Sequence, residues 1–139
     1  MRFWDSSALI PLMIAEAESA HMRQLLMEDG SIATASITPL EIASVLWRRR
    51  HAGMLDVAAH HDADVTFAEV SARWTEVTHT PRVVQAAIDL VTRQPLRSLD
   101  ALHLASAIVM TDMPSDLAFV TLDRNLAAAA RAEGFAVLP

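Results

Sequence analysis

At 139 residues, 53% hydrophobic and 20% charged, the chain has room for one compact domain with a single core, expected to span residues 1–139. It contains no cysteine and no lysine, all eleven basic residues being arginines, which excludes disulfides, thiolate metal sites, Schiff-base chemistry and a P-loop. A net charge of −6 argues against binding nucleic acid by phosphate neutralisation alone, unless a cluster of acids captures divalent cations.

The first residues, MRFWDSSALI, read as a short strand over 2–5 that stops on Asp5 and turns at Ser6-Ser7. Residues 17–28 have helical spacing and end at Asp29-Gly30, and 31–36 are bounded like a second strand. Thr38-Pro39-Leu40-Glu41 opens a helix with a capping-box pattern and proline at its first position, reaching about His51 before Gly53. Residues 56–74 have helical spacing, 76–80 alternate like a strand, and Pro81 starts the next helix. A further helix opens at Arg97-Ser98-Leu99-Asp100, with Ser98 as its expected N-cap. Residues 117–122 form an apolar strand ending at Asp123, 124–133 a helix stopped by Gly134, and 135–138 a last strand. This alternation predicts an α/β fold with a parallel sheet covered by helices on both faces. No apolar run approaches the roughly 18 to 20 residues of a membrane span, and an acid at position 5 spoils a signal peptide, so a cytoplasmic location is expected.

Four acids fall at equivalent places in this pattern: Asp5 and Asp123 end predicted strands, while Glu41 and Asp100 sit in the first turns of predicted helices. In a parallel α/β fold both descriptions name the carboxyl edge of the sheet. Each acid has an ordinary explanation as a helix cap or a partner of the helix dipole. Capping leaves unexplained the acids that directly follow apolar strands, and Asp100 between Leu99 and Ala101-Leu102. If the four converge, their repulsion raises some pKa values unless a cation neutralises them. Oxygen-only ligands suit Mg2+ or Mn2+, which leads to phosphodiester hydrolysis by metal-activated water.

FWDSSALI, TPLEIASVLWR, SLDALHLASA and FVTLDRNL resemble, in order and spacing, the acidic motifs of PIN-domain ribonucleases, and most of all the VapC toxins of VapBC toxin–antitoxin systems. The resemblance covers nearly the full chain, with no motif position missing. It implies a PIN-like α/β/α sandwich and a divalent-metal endoribonuclease that cuts RNA to leave a 5′-phosphate and a 3′-hydroxyl. By position it implies Asp5 and Asp100 as principal metal ligands, Glu41 as a direct or water-mediated ligand, and Asp123 completing the cluster. Ser7 and Thr121 match hydroxyl positions expected to hold a water or a phosphate oxygen. The resemblance also implies a cognate VapB-type antitoxin that itself carries the DNA contact, and a toxin homodimer.

Other residues read more plainly. Arg48-Arg49-Arg50 is expected to be a solvated helix end, and His51, His60, His61, Asp62 and Asp64 an exposed polar stretch rather than a zinc site. His103, one turn after Asp100, is expected to be a hydrogen-bonded or groove-lining histidine. The tryptophans fit a core or an interface, and residues 9–14 and 17–27 fit either core packing or a groove for an antitoxin helix. Two rival functions fit parts of this pattern. A haloacid-dehalogenase-like phosphatase is disfavoured by Ser7 where D-x-D needs an acid and by the absence of lysine. A non-enzymatic binding module, its acids serving only as caps, is the other.

Overall fold

The computed structural model describes all 139 residues. Five short strands form one wholly parallel sheet: β1 (Arg2–Trp4), β2 (Ile32–Ala35), β3 (Thr75–Val77), β4 (Ala118–Val120) and β5 (Ala136–Leu138), in the order β3-β2-β1-β4-β5. Seven helices connect them: α1 (Ser6–Met13), α2 (Ser19–Glu28), α3 (Thr38–His51), α4 (Val57–Ser71), α5 (Pro81–Arg93), α6 (Ser98–Met110) and α7 (Arg124–Ala132). The α/β/α sandwich expected from the alternation is the architecture observed.

Side-chain alternation along the strands divides the core into two halves. Phe3 and Phe119 point to one face, their rings stacked 5.3 Å apart, and pack with Leu90 of α5, Leu104 of α6 and Leu126 of α7. Trp4, Ile32 and Val120 point to the other, where α1, α2 and α3 cover them with Leu9, Met22, Ile42 and Leu46. Central β1 is therefore apolar on both sides, and Phe3 and Trp4 are completely buried.

Several local expectations change. Residues 6–13 form a helix rather than a turn, and the side chains from Ala8 to Met13 are all buried, so this segment is mostly core; only its end, Met13 with Ile14, borders a second cavity beside Met54 and Leu55. The capping box is not formed: the cap of α3 is Ile37, without a side-chain bond, and the Thr38 hydroxyl instead meets Thr34 Oγ1 at 2.7 Å. Ser98 is the first helical residue of α6 and Arg97 its cap, again without a side-chain cap bond. Strand β4 stops at Val120, so Asp123 follows it across a two-residue step and does not end it directly. His60 is buried with its ring edge-on to Trp47 at 4.8 Å, whereas its neighbours His61, Asp62 and Asp64 are exposed as expected. No helix is long and apolar enough to cross a membrane.

Candidate active site

Strand order reverses between β1 and β4, because the chain winds from β1 toward β3 in one direction and from β4 toward β5 in the other. The loops leaving the carboxyl ends of those two strands separate and open a crevice, the usual ligand position in such sheets. There a cavity of about 700 Å³ is lined by Asp5, Glu41, Asp100 and Asp123 together, with Arg48 and Arg97 on its walls. Four acids separated by up to 118 positions in sequence thus share one concavity (from Asp5 to Asp123).

Asp5 follows β1 immediately and its amide donates to the Val120 carbonyl at 3.1 Å, tying the end of β1 to the end of β4. It caps α1, and its hydrogen bonds, from the Ser7 hydroxyl at 2.8 Å and the Ala8 amide at 3.4 Å, both fall on Oδ1. Asp123 caps α7 in the same way, with the Leu126 amide donating to its Oδ1 at 2.9 Å. Capping is therefore real for two of the four acids, and it uses one carboxylate oxygen of each. Glu41 and Asp100 lie in the first turns of α3 and α6 without capping them.

Ser7 and Thr121 work mainly within the protein. The Ser7 hydroxyl, besides donating to Asp5, accepts from the Leu122 amide at 2.9 Å and lies 3.4 Å from Thr121 Oγ1. Thr121 is buried and accepts from the Asp123 amide at 3.0 Å, so its hydroxyl fixes the turn behind the cavity instead of facing it. Ser7 lines the cavity and Thr121 does not.

Two cations answer the four negative charges. His103, 1% exposed, places Nε2 at 2.5 Å from Glu41 Oε2. Burial pushes the His103 imidazole down, but the Glu41 hydrogen bond and the charges of Asp5, Glu41 and Asp100 outweigh it and hold the pKa above its ordinary value. Burial likewise pushes Glu41 up, and the His103 bond and charge, with help from Ser6 and Arg97, bring its carboxyl below the usual range. Both directions describe one buried ion pair. Asp5 has no such partner within bonding distance: burial raises its pKa against the weaker pull of His103 and the Ser7 bonds. The second cation, Arg97, is 79% exposed; its Nε donates to Asp100 Oδ2 at 2.9 Å and Nη2 to Asp123 Oδ2 at 3.4 Å.

The donor set suits a hard divalent cation: it is all oxygen, and it includes a buried carboxyl whose ionisation the His103 charge offsets only in part. As the side chains stand, no three acidic or histidine groups are drawn together closely enough to grip an ion. What Asp100 and Asp123 converge on is the Arg97 guanidinium. The histidines and acids at 51–64 do not assemble a site either.

The Glu41 partner was half legible, since the spacing from Asp100 to His103 places both on one side of α6, but nothing in the spacing reveals a contact between α6 and α3. Arg97 was missed, although its i,i+3 relation to Asp100 is a local signal. Arg48 lines the same cavity and makes no ion pair, whereas Arg49 binds Glu16 away from it. The arginine run is thus divided between two surfaces.

A sequence model of the PIN domain matches residues 2–132. Among curated proteins no sequence is significantly similar. Solved structures share the fold, three of them as follows. PAE2754 from Pyrobaculum aerophilum superposes with a TM-score of 0.64 at 24% identity, over 92% of this chain and 78% of the other. A toxin–antitoxin complex from Klebsiella pneumoniae gives 0.69 at 18% identity, over 100% and 97% of the two chains. Mycobacterium tuberculosis VapC20, described as a sarcin-ricin loop cleaving toxin, gives 0.72 at 17% identity over the full length of both.

Proposed function

The chain belongs to the PIN domain family, and from that premise we propose that it is a Mg2+- or Mn2+-dependent endoribonuclease acting as the toxin of a type II toxin–antitoxin pair. The observation that carries this reading is the meeting of Asp5, Glu41, Asp100 and Asp123 in one cavity at the reversal of strand order. The two toxin-system neighbours with the same fold over nearly their whole length support it.

In this reading Asp5 and Asp100 are the principal metal ligands, Glu41 contributes directly or through a water, and Asp123 completes the acidic set. Bound there, a divalent ion supplies charge stabilisation and water activation for in-line hydrolysis of an RNA phosphodiester. Asp5 is held by the Ser7 and Ala8 bonds and by its amide bond to β4, so its free carboxylate oxygen is fixed before any ligand arrives. His103 orients Glu41 and holds a proton at Nε2, which keeps that carboxylate ionised. Exposed Arg48, with no acid of its own, is the cation on the cavity wall for a substrate phosphate. This local positive charge compensates in part for the net charge of −6. A VapB-type antitoxin that also carries the DNA contact, a homodimeric toxin, a single domain over residues 1–139 and a cytoplasmic location complete the proposal.

A binding module whose acids are only caps is the competing reading, and the caps at Asp5 and Asp123 favour it. It leaves Glu41 and Asp100 with only a dipole contact in the first turns of their helices and does not explain why they meet Asp5 and Asp123 in one cavity. The deciding experiment is cleavage of structured RNAs, including a sarcin-ricin hairpin, by antitoxin-free protein with Mg2+ or Mn2+ and with EDTA. Endonucleolytic cutting that needs metal and disappears in Asp100→Ala is the expected result. If a folded sample cuts no RNA in the pool and Asp100→Ala behaves as the parent, the acids are caps and the nuclease reading is wrong.

A further inference from the structure

Arg97 has no structural duty that its position requires. It is the cap residue of α6, yet its side chain makes no cap bond, and the guanidinium's polar contacts are Asp100 Oδ2 and Asp123 Oδ2. At Asp123 this is the oxygen that remains for a ligand, because Oδ1 is committed to the Leu126 amide; Asp100, which lines the same cavity, keeps Oδ1 free of hydrogen bonds. A guanidinium and a divalent ion therefore compete for Asp123 Oδ2 and for the negative charge of both acids. They differ in how firmly they are held. At 79% exposure Arg97 is anchored only through its own backbone and two solvent-screened ion pairs, so swinging it into water costs little.

We infer that Arg97 is a built-in, displaceable counter-cation: it fills the outer half of the acidic cluster in the metal-free protein and must leave when a divalent ion binds Asp100 and Asp123. This rests on the metal-dependent reading above and deepens it. The acids are never left to repel one another, so the metal-free fold tolerates them. In return, the affinity for metal is lower than four uncompensated carboxylates would provide. Arginine suits the task because its fork reaches both acids from one side chain, through Nε to one and Nη2 to the other, which a lysine ammonium on its longer stem does less well.

The test is calorimetric titration of Mn2+, and separately of Mg2+, into the metal-free protein without RNA, for the parent, Arg97→Gln and Arg97→Lys. Because the Arg97 side chain is 79% exposed, these substitutions are expected to leave the fold intact, and thermal unfolding in EDTA verifies it. Arg97→Gln is expected to bind metal about three- to tenfold more tightly, by the usual strength of exposed ion pairs, with Arg97→Lys between it and the parent. In EDTA the Gln variant melts below the parent, and saturating Mn2+ brings it back. Metal binding of equal or weaker affinity in Arg97→Gln overturns the competition while leaving the nuclease reading standing. Absence of binding in all three proteins overturns both.

Discussion

The two halves of the acidic cluster meet the same electrostatic problem with opposite means. The inner pair, Asp5 and Glu41, has His103 as its cation, which is enclosed, hydrogen-bonded to Glu41 at 2.5 Å, felt by Asp5 only through its charge, and unable to leave without disturbing α6. The outer half, Asp100 and Asp123, relies on Arg97, which stands in solvent and is held by its tip. A buried cation fixes geometry at the cost of adaptability, and an exposed one neutralises charge without fixing anything. The cluster is rigid toward the core and exchangeable toward the mouth.

The sharpest way to break the comparison is at its deepest acid. Asp5→Asn keeps the acceptor for Ser7 and Ala8 and removes the charge, so RNA cleavage should fall by about a hundredfold to a thousandfold or more, as measured in single-turnover assays. The same variant should be more stable than the parent in EDTA, measured by urea unfolding, because a carboxyl whose pKa burial has raised is a liability when ionised. A metal-free Asp5→Asn protein less stable than the parent would mean that the charge is already compensated.

Next is the rigid cation. His103→Ala deletes a fully buried ring and leaves Glu41 without its partner, so a loss of about 2–4 kcal/mol is expected in the same unfolding experiment. For the outer acids, Asp123→Asn retains an oxygen for the Leu126 amide and should change stability by no more than about 0.5 kcal/mol. If His103→Ala and Asp123→Asn cost the same, the division into rigid and exchangeable halves fails.

A smaller effect is the dependence of metal-free stability on pH. The pKa of His103 is raised by folding, so its contribution is complete below its ordinary value near pH ~6.5 and is lost as pH rises through the folded value. Glu41 is lowered, so its contribution is complete above its ordinary range and is lost as pH falls through the folded value. Asp5, raised, adds a separate loss as pH climbs through its own folded value. Urea midpoints taken across pH should therefore decline on the alkaline side, and His103→Gln should flatten that decline. Asp5→Asn should remove only the part due to Asp5.

What the sequence made legible follows from what is local. Strands such as 2–4 and 118–120, and helices with a polar face such as α5 and α7, announce themselves through short-range period and turn residues. Helix α1 does not, because after its two serines the run from Ala8 to Met13 is buried and uniformly apolar and has no period to read. The capping box at Thr38 was a sound local pattern overridden by a tertiary contact, the bond to Thr34 on β2. At the site, the identities of the four acids were readable from their position after strands and at helix starts. Their two cations were not, since a partner on another element, such as His103 for Glu41, depends on how α6 lies against α3.

The sheet order also governs when the cleft comes into existence during synthesis. Asp5 emerges early, yet its strand is flanked on one side by β4, and the cavity needs Asp100 and Asp123 as well. Contacts spanning so much of the chain form late and slowly. A chain translated only as far as β3 therefore carries Asp5 and Glu41 without the wall that completes the cavity. For the ribonuclease proposed above, the long reach of one strand pairing would be a form of protection for the machinery that makes it.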